Sequence, residues 1–170
     1  MNKKLETDFN KQIMEELHSA YIYLAMSAWA KEKSLDGFGN WFEVQFKEEM
    51  DHAMGFYNYI LSVGGSVKLM AIAEPKIDVK KPEDLFSLGL EHERYITSKI
   101  HDLYLLAQEE GDVAAQSFLK WYVDEQVEEE DNASKYLERV KMAGDGAGLL
   151  MLDQELLARI HTPASILSQE

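Results

Sequence analysis

The chain contains no cysteine. That excludes disulfides, Cys-ligated zinc and iron–sulfur clusters. Proline is scarce, at three, and only ten glycines fall in 170 residues, so long stretches run without a helix breaker. No apolar run reaches the roughly 18 residues that a membrane span needs, and no basic-then-apolar leader opens the chain. Basic residues number 17 against 31 acidic ones, for a formal charge of −14. That balance argues against nucleic acid and anionic membranes as partners and is compatible with binding cations. The expected compartment is the cytoplasm.

What is present reads as an all-α protein. Apolar residues make up 46% and charged residues 28%, a globular composition. The length suits one domain with a real core, 1–170. Helices are expected at about 4–33, 38–64, 84–110 and 113–142, with a shorter one at 147–159 and a tail at 160–170. SLDGFGN (34–40) is a turn cluster between the first two helices, and VGGS (63–66) ends the second. KKPEDL (80–85) places Pro82 and acidic residues at a helix start, where the helix dipole favours negative charge. EEGD (109–112) and AGDGAG (143–148) supply the later breaks. Short breaks after helices one and three make two antiparallel hairpins. The connection 65–81 is too long for a tight turn. At about 3.3 Å per extended residue it spans about 55 Å. A helix over 38–64 is only roughly 40 Å long at about 1.5 Å per residue. The connection can therefore run the length of the bundle and leave the middle helices parallel: a four-helix bundle with one long crossover and a short fifth helix.

Positions spaced 4-3-4-3 trace the core stripe of each helix. Helix one gives Phe9, Ile13, Glu16, Ala20, Tyr23, Ser27 and Ala30. Helix two gives Phe42, Phe46, Glu49, Ala53, Phe56 and Ile60. Helix three gives Phe86, Leu90, Glu93, Thr97, Ile100, Tyr104 and Ala107. Helix four gives Ala115, Leu119, Tyr122, Gln126, Glu129, Ala133, Tyr136 and Val140. Every stripe carries acid or amide near its middle. Glu16 to Glu49 is 33 residues, and so is Glu93 to Gln126. His52 lies three after Glu49, and Glu129 three after Gln126. The chain reads as one hairpin written twice, with the four interruptions at similar height.

Buried carboxylates cost several kcal/mol each unless something compensates. No Lys or Arg lies on these stripes. Metal ions solve the problem. Glu16, Glu49, His52, Glu93, Gln126 and Glu129 offer mostly oxygen ligands and one nitrogen, which suits iron or manganese better than a structural zinc site. Glu49 and His52 project from one helix face toward one point. A lone Glu-x-x-His arises often by chance, and EQVEEE alone reads equally as a solvated acidic face. Four matched interruptions are much harder to obtain by accident.

A Glu from each of two helices and a Glu-x-x-His from each of the others describes ferritin-like di-iron proteins. Here Gln126-x-x-Glu129 replaces the second Glu-x-x-His, the variant carried by non-haem ferritins. NKQIMEELHSAYIYLAMSAW (10–29), EEMDHAM (48–54), WYVDEQVEEE (121–130) and the fifth helix together make residues 1–160 resemble a bacterial non-haem ferritin. The tail HTPASILSQE carries no motif that places it.

The resemblance implies a 24-subunit shell that oxidises Fe(II) with O2 or peroxide and stores an oxyhydroxide mineral. It implies one iron on Glu16, Glu49 and His52. A second takes Glu93 and Glu129, with Glu49 bridging and Gln126 nearby. Paired metals of this kind lie about 3.5–4 Å apart. It further implies a third iron site at Glu48, Glu125, Glu128 and Glu129, although exposed Glu clusters are ordinary. It makes Tyr23 a hydrogen-bond donor to the site and a one-electron source, whereas a core tyrosine also simply packs. Trp121 lies near the site too. Met50 occupies the position where bacterioferritins ligate haem, but Met is ordinary there in non-haem ferritins, and no haem is expected. The acidic pair that lines the three-fold pores of animal ferritins falls here on Gln116 and Leu119. Glu109, Glu110, Asp112 and Asp145 are candidates for an uptake route only as acids near turns.

Two other classes fit parts of the pattern. An ordinary-sized bundle using the same metals for peroxide reduction, as in rubrerythrin-like proteins, lacks a Cys-based module here and leaves the fifth helix unused. A metal-free structural bundle leaves the buried acids unexplained. Particle size and metal content separate the three.

Overall fold

The computed structural model describes residues 2–168. Among them are five α-helices: α1 Lys3–Glu32, α2 Asp36–Ser62, α3 Pro82–Glu109, α4 Val113–Ala143 and α5 Ala147–Leu156. A 3-10 turn follows at Ser165–Ser168, and no strand occurs among the described residues. The last two residues of the tail expected at 160–170, and Met1, lie outside the described residues.

Three of the starts have local chemistry. Asn2 caps α1 by accepting from Lys4 N at 2.7 Å. Pro82 opens α3, and Asp84 Oδ2 reaches back to the amides of Lys80 and Lys81 at 2.9 and 3.0 Å. Asp112 caps α4 by accepting from Ala115 N at 2.9 Å.

Most helix ends shift by one to three residues from expectation, and two of the shifts coincide with specific contacts. The turn between α1 and α2 is tighter than 34–40, because α2 already begins at Asp36. Gly37 is a helical residue rather than a turn residue. A Cβ there would overlap the backbone of Asp153 in α5. The glycine lets α5 lie against the start of α2. Asp153 Oδ1 accepts from Gly37 N and Phe38 N at 2.8 and 3.0 Å, so the cap of α2 comes from α5. The second difference is that α5 stops at Leu156, short of 159. Asn40 Nδ2 donates to the carbonyls of Leu156 and Arg159, each at 3.0 Å, where the chain leaves the helix.

Contacts set the helix directions. Ser27 meets Gly39 and Phe9 meets Phe56, so α1 and α2 are antiparallel. Phe86 meets Tyr136 and Arg94 meets Glu130, so α3 and α4 are antiparallel. Gln45 meets Glu129 and Tyr122 meets the His52 carbonyl, which sets α2 antiparallel to α4. Hence α2 and α3 run parallel, as the long connection requires. Residues 63–81 carry no helix apart from the bend into α3. The buried Asn10 pins the start of this strap, bonding Ser66 O at 3.0 Å and Lys68 N at 2.6 Å. Val67 packs on the Phe9–Phe56–Ile60 cluster and Ile77 and Val79 on the Phe38–Phe86 cluster. The strap thus spans the bundle, with one apolar cluster near each end and a polar layer between them.

Candidate metal centre

The stripe positions are buried except Phe46, Thr97, Tyr104 and Tyr136, which are half-buried. The polar layer contains Glu16 from α1, Glu49 and His52 from α2, Glu93 from α3, and Gln126 and Glu129 from α4, none more than 5% exposed. Glu16, Glu49 and His52 each bring a ligand atom within 4.8 Å of the others, and so do His52, Glu125 and Glu129. His52 therefore belongs to both groups. Its Nδ1 lies 3.5 Å from Glu49 Oε2.

The electrostatics favour a cation. Burial, reinforced by Glu49, pushes the Glu16 carboxyl up to about 8. Burial, reinforced by Glu129, pushes Glu93 up to about 8. Burial and then Glu93 and Glu129 raise Glu49 well above the carboxylate range. Glu16 Oε2 and Glu49 Oε1 are buried with no hydrogen-bond partner. Such orphaned acceptors cost about 1–3 kcal/mol each. A hard cation between them supplies both missing partners, so the donor set fits a metal ion.

The second half of the layer is held differently. Tyr23 donates its hydroxyl to Glu93 Oε1. Gln126 Nε2 donates to Glu93 Oε2 at 3.1 Å, to its backbone carbonyl at 3.3 Å and to Thr97 Oγ1 at 3.3 Å. Gln126 thus presents its amide nitrogen to Glu93 and orients that carboxylate. Glu93 belongs to neither compact ligand group. Burial, then Glu93, raises the Tyr23 phenol well above its usual range.

Of the remaining expected residues, Glu125 is half-buried in the second group and its carboxyl is raised, chiefly by burial. Glu128 is exposed and outside both groups. Glu48 pairs with Arg159 at 2.6 Å, and burial pushes it up to about 7 against the pull of that arginine. Trp121 sets its ring 5.6 Å from that of His52. Met50 is surface-exposed. Among the acids near turns, Asp112 serves as a helix cap, and Glu109 and Glu110 lie 4.0 and 3.8 Å from Lys4.

Sequence reasoning missed four supports. Gln12 Nε2 donates to Glu16 Oε1 at 2.9 Å and also lines a cavity of about 240 Å³ bounded by Asp8, Glu15 and Asp102. Gln45 Nε2 donates to Glu129 Oε2 at 2.9 Å. The Tyr122 hydroxyl donates to the His52 carbonyl at 2.8 Å. Arg159 reaches Gln45 and Glu48 from beyond α5. Gln12 had a visible signal, standing four residues before Glu16 on one helix face. The others depend on contacts between distant segments.

A family model for a ferritin-like domain matches residues 7–143. The chain is 36% identical over 160 residues to the bacterial non-heme ferritin of Staphylococcus aureus (strain USA300), covering 94% of this chain and 96% of that one. Among solved structures, it resembles an engineered closed form of the Archaeoglobus fulgidus ferritin, with a TM-score of 0.94 and 42% identity over 95% of this chain and 99% of the other. It also resembles the open-pore ferritin of that archaeon, with a TM-score of 0.92 and 40% identity over 94% and 98%.

Proposed function

The chain belongs to the ferritin family, and from that premise we propose that it stores iron by oxidising Fe(II) at a paired site. The oxidant is O2 or peroxide, and the Fe(III) product is held as an oxyhydroxide mineral inside a 24-subunit shell. The whole chain, 1–170, is read as one ferritin-like domain. The reading rests on one observation above others: two carboxylate oxygens, on Glu16 and Glu49, buried without a partner beside His52.

Iron is the substrate and cargo. Each Fe(II) gives up one electron and the oxidant takes it up. Glu16, Glu49 and His52 hold one ion. Glu93 and Glu129 hold the other, with Glu49 shared between them. Gln12, Tyr23, Gln126 and Gln45 aim the carboxylates by donating to Glu16, Glu93 and Glu129. Glu125 and Glu129 flank the pair on the side expected for a third ion. The dry layers of Phe9, Phe56 and Ile60 on one side and Phe38, Phe42 and Phe86 on the other keep bulk water from the site.

An anaerobic Fe(II) titration followed by admission of air, with particle sizing before and after, tests this. Rapid oxidation of an iron pair per subunit, then growth of a mineral inside a shell-sized particle, is expected. Oxidation no faster than in buffer, with no retained iron, overturns it.

A further inference from the structure

Residues 157–168 form a strap along the groove between α2 and α4. Arg159 lies over the Trp41 ring at 4.4 Å and donates to the Trp41 carbonyl at 3.2 Å, to Gln45 Oε1 and to Glu48 Oε2 at 2.6 Å. Asp51 Oδ2 lies 2.9 Å from His161 Nε2 and accepts from Ala164 N at 3.0 Å. Trp121 Nε1 donates to Ser165 Oγ at 2.9 Å. Ile166 is buried beside Gly55, where an added Cβ would overlap the Tyr122 hydroxyl and crowd Ile166. These anchors are one step from the centre. Gln45 binds Glu129, the Trp121 ring faces His52, and Tyr122 binds the His52 carbonyl.

The arginine does two things there. A guanidinium is permanently charged and offers donors in a rigid fork, so one group engages Glu48 and Gln45 together. Glu48 is largely buried near Glu129 and needs a counter-charge. Arg159 supplies it where an acidic cluster would otherwise draw a metal ion. Its second bond fixes the Gln45 amide. With the oxygen of Gln45 turned to Arg159, its nitrogen faces Glu129 and occupies a lone pair on Oε2.

We propose that Arg159 is a positioning residue of the metal centre, a built-in cation that holds Glu48 and, through Gln45, Glu129. A third metal ion then binds at Glu48, Glu125 and Glu129 only when the strap 157–168 lifts. This rests on the proposed paired site.

The test uses the full-length apo assembly and redox-inert Zn(II), with ions per subunit counted by calorimetry. Arg159→Gln should bind one more Zn(II) per subunit than the unaltered protein. Adding Glu48→Gln to that variant should abolish the gain. Arg159→Lys keeps the charge and should restore the original stoichiometry, which a merely structural role would not produce. An unchanged stoichiometry in Arg159→Gln, or a gain that survives Glu48→Gln, overturns the proposal. Should Arg159→Gln fail to assemble, hydrogen exchange on the unaltered protein decides. Zn(II) beyond the pair should either not bind or bind with loss of amide protection across 157–168. An extra ion under a still-protected strap overturns the inference. Failure of the pair itself to bind strikes the proposed function instead.

Discussion

At the scale of single residues, the two halves of the polar layer are unequal. On one side, Glu16 and Glu49 each keep an oxygen without a hydrogen bond, and His52 stands beside them. On the other, Glu93 is held by Tyr23 and Gln126, and Glu129 by Gln45. A metal ion entering the first half displaces little, while one entering the second competes with donors already in place. The His52 side should fill first, and crystals soaked briefly in Fe(II) should show higher occupancy there. Gln126→Glu replaces a neutral donor to Glu93 with a carboxylate, so it should tighten the second half and slow repeated turnover more than the first. Equal occupancy at short soak with unchanged turnover in Gln126→Glu would sink this account. Protons give a second prediction. Glu16 and Glu93 are pushed from an ordinary 4.5 to about 8. Their folded-state values are raised, so the stability they contribute is full below pH 4.5 and lost as pH rises through 8. In that window the apo protein holds protons that bound metal must displace. Filling the pair at pH 7 should release protons from Glu16 and Glu93 and from Glu49, whose carboxyl is raised as well, read as a buffer-dependent heat in calorimetry; a heat independent of buffer contradicts it. Glu16, Glu49, Glu93 and Glu129 were legible in sequence because helical periodicity places them on apolar stripes, and His52 because it stands three after Glu49. Gln45 was not, because it lies one position off the 4-3-4-3 stripe and its partners Glu129 and Arg159 are remote in the chain.

At the scale of elements, the four long helices were legible from their breaks, and the crossover from its length alone. The joint between α2 and α5 was not. Gly37 reads in sequence as a turn residue, yet its lack of a side chain serves the approach of the Asp153 backbone. Leu35 at the start of α2 offers no side-chain cap, so the first amides of that helix depend on Asp153. A cap supplied from more than a hundred residues away leaves no local signature. Asp153→Ala should cost about 1 kcal/mol, the usual worth of a cap, and lower the melting temperature. Asp153→Asn keeps an acceptor oxygen and should recover most of the loss. If the two variants melt alike, the contact is packing rather than capping. The same joint explains why α5 stands where it does. Asn40 closes its end by binding the Leu156 and Arg159 carbonyls, and that bend directs Arg159 toward Gln45 and Glu48. The element that ends the bundle therefore also delivers the strap to the metal centre.

At the scale of the whole molecule, the question is what covers α5. Leu152 and Leu156 are buried on the chain's own bundle, so one face of the helix is satisfied. The other is not. Leu150 is 62% exposed, Met151 74% and, just beyond the helix, Ile160 84%. Across the linker, Met142 of α4 is exposed too and lines one groove with Met151. Large apolar side chains gathered at one end of a molecule carrying a formal charge of −14 mark a contact surface rather than a solvated tip. In a closed shell each such end meets its symmetry copies, and a small helix gains its missing partners without any new segment. Leu150→Glu combined with Met151→Glu puts two like charges on that face and repeats them in every copy around the axis. The bundle should still fold, because Leu152, Leu156 and Asp153 keep their own contacts. The assembly should not close, and light scattering should report particles far smaller than 24 subunits. Helicity by circular dichroism should stay near that of the unaltered chain, and Zn(II) should still bind at Glu16, Glu49 and His52. Iron oxidised by such open particles should precipitate instead of remaining in solution, because the product has no cavity in which to mineralise. A full-sized shell in the doubly charged variant would mean that α5 does not carry the closing contacts, and that assembly rests on the bundle faces alone.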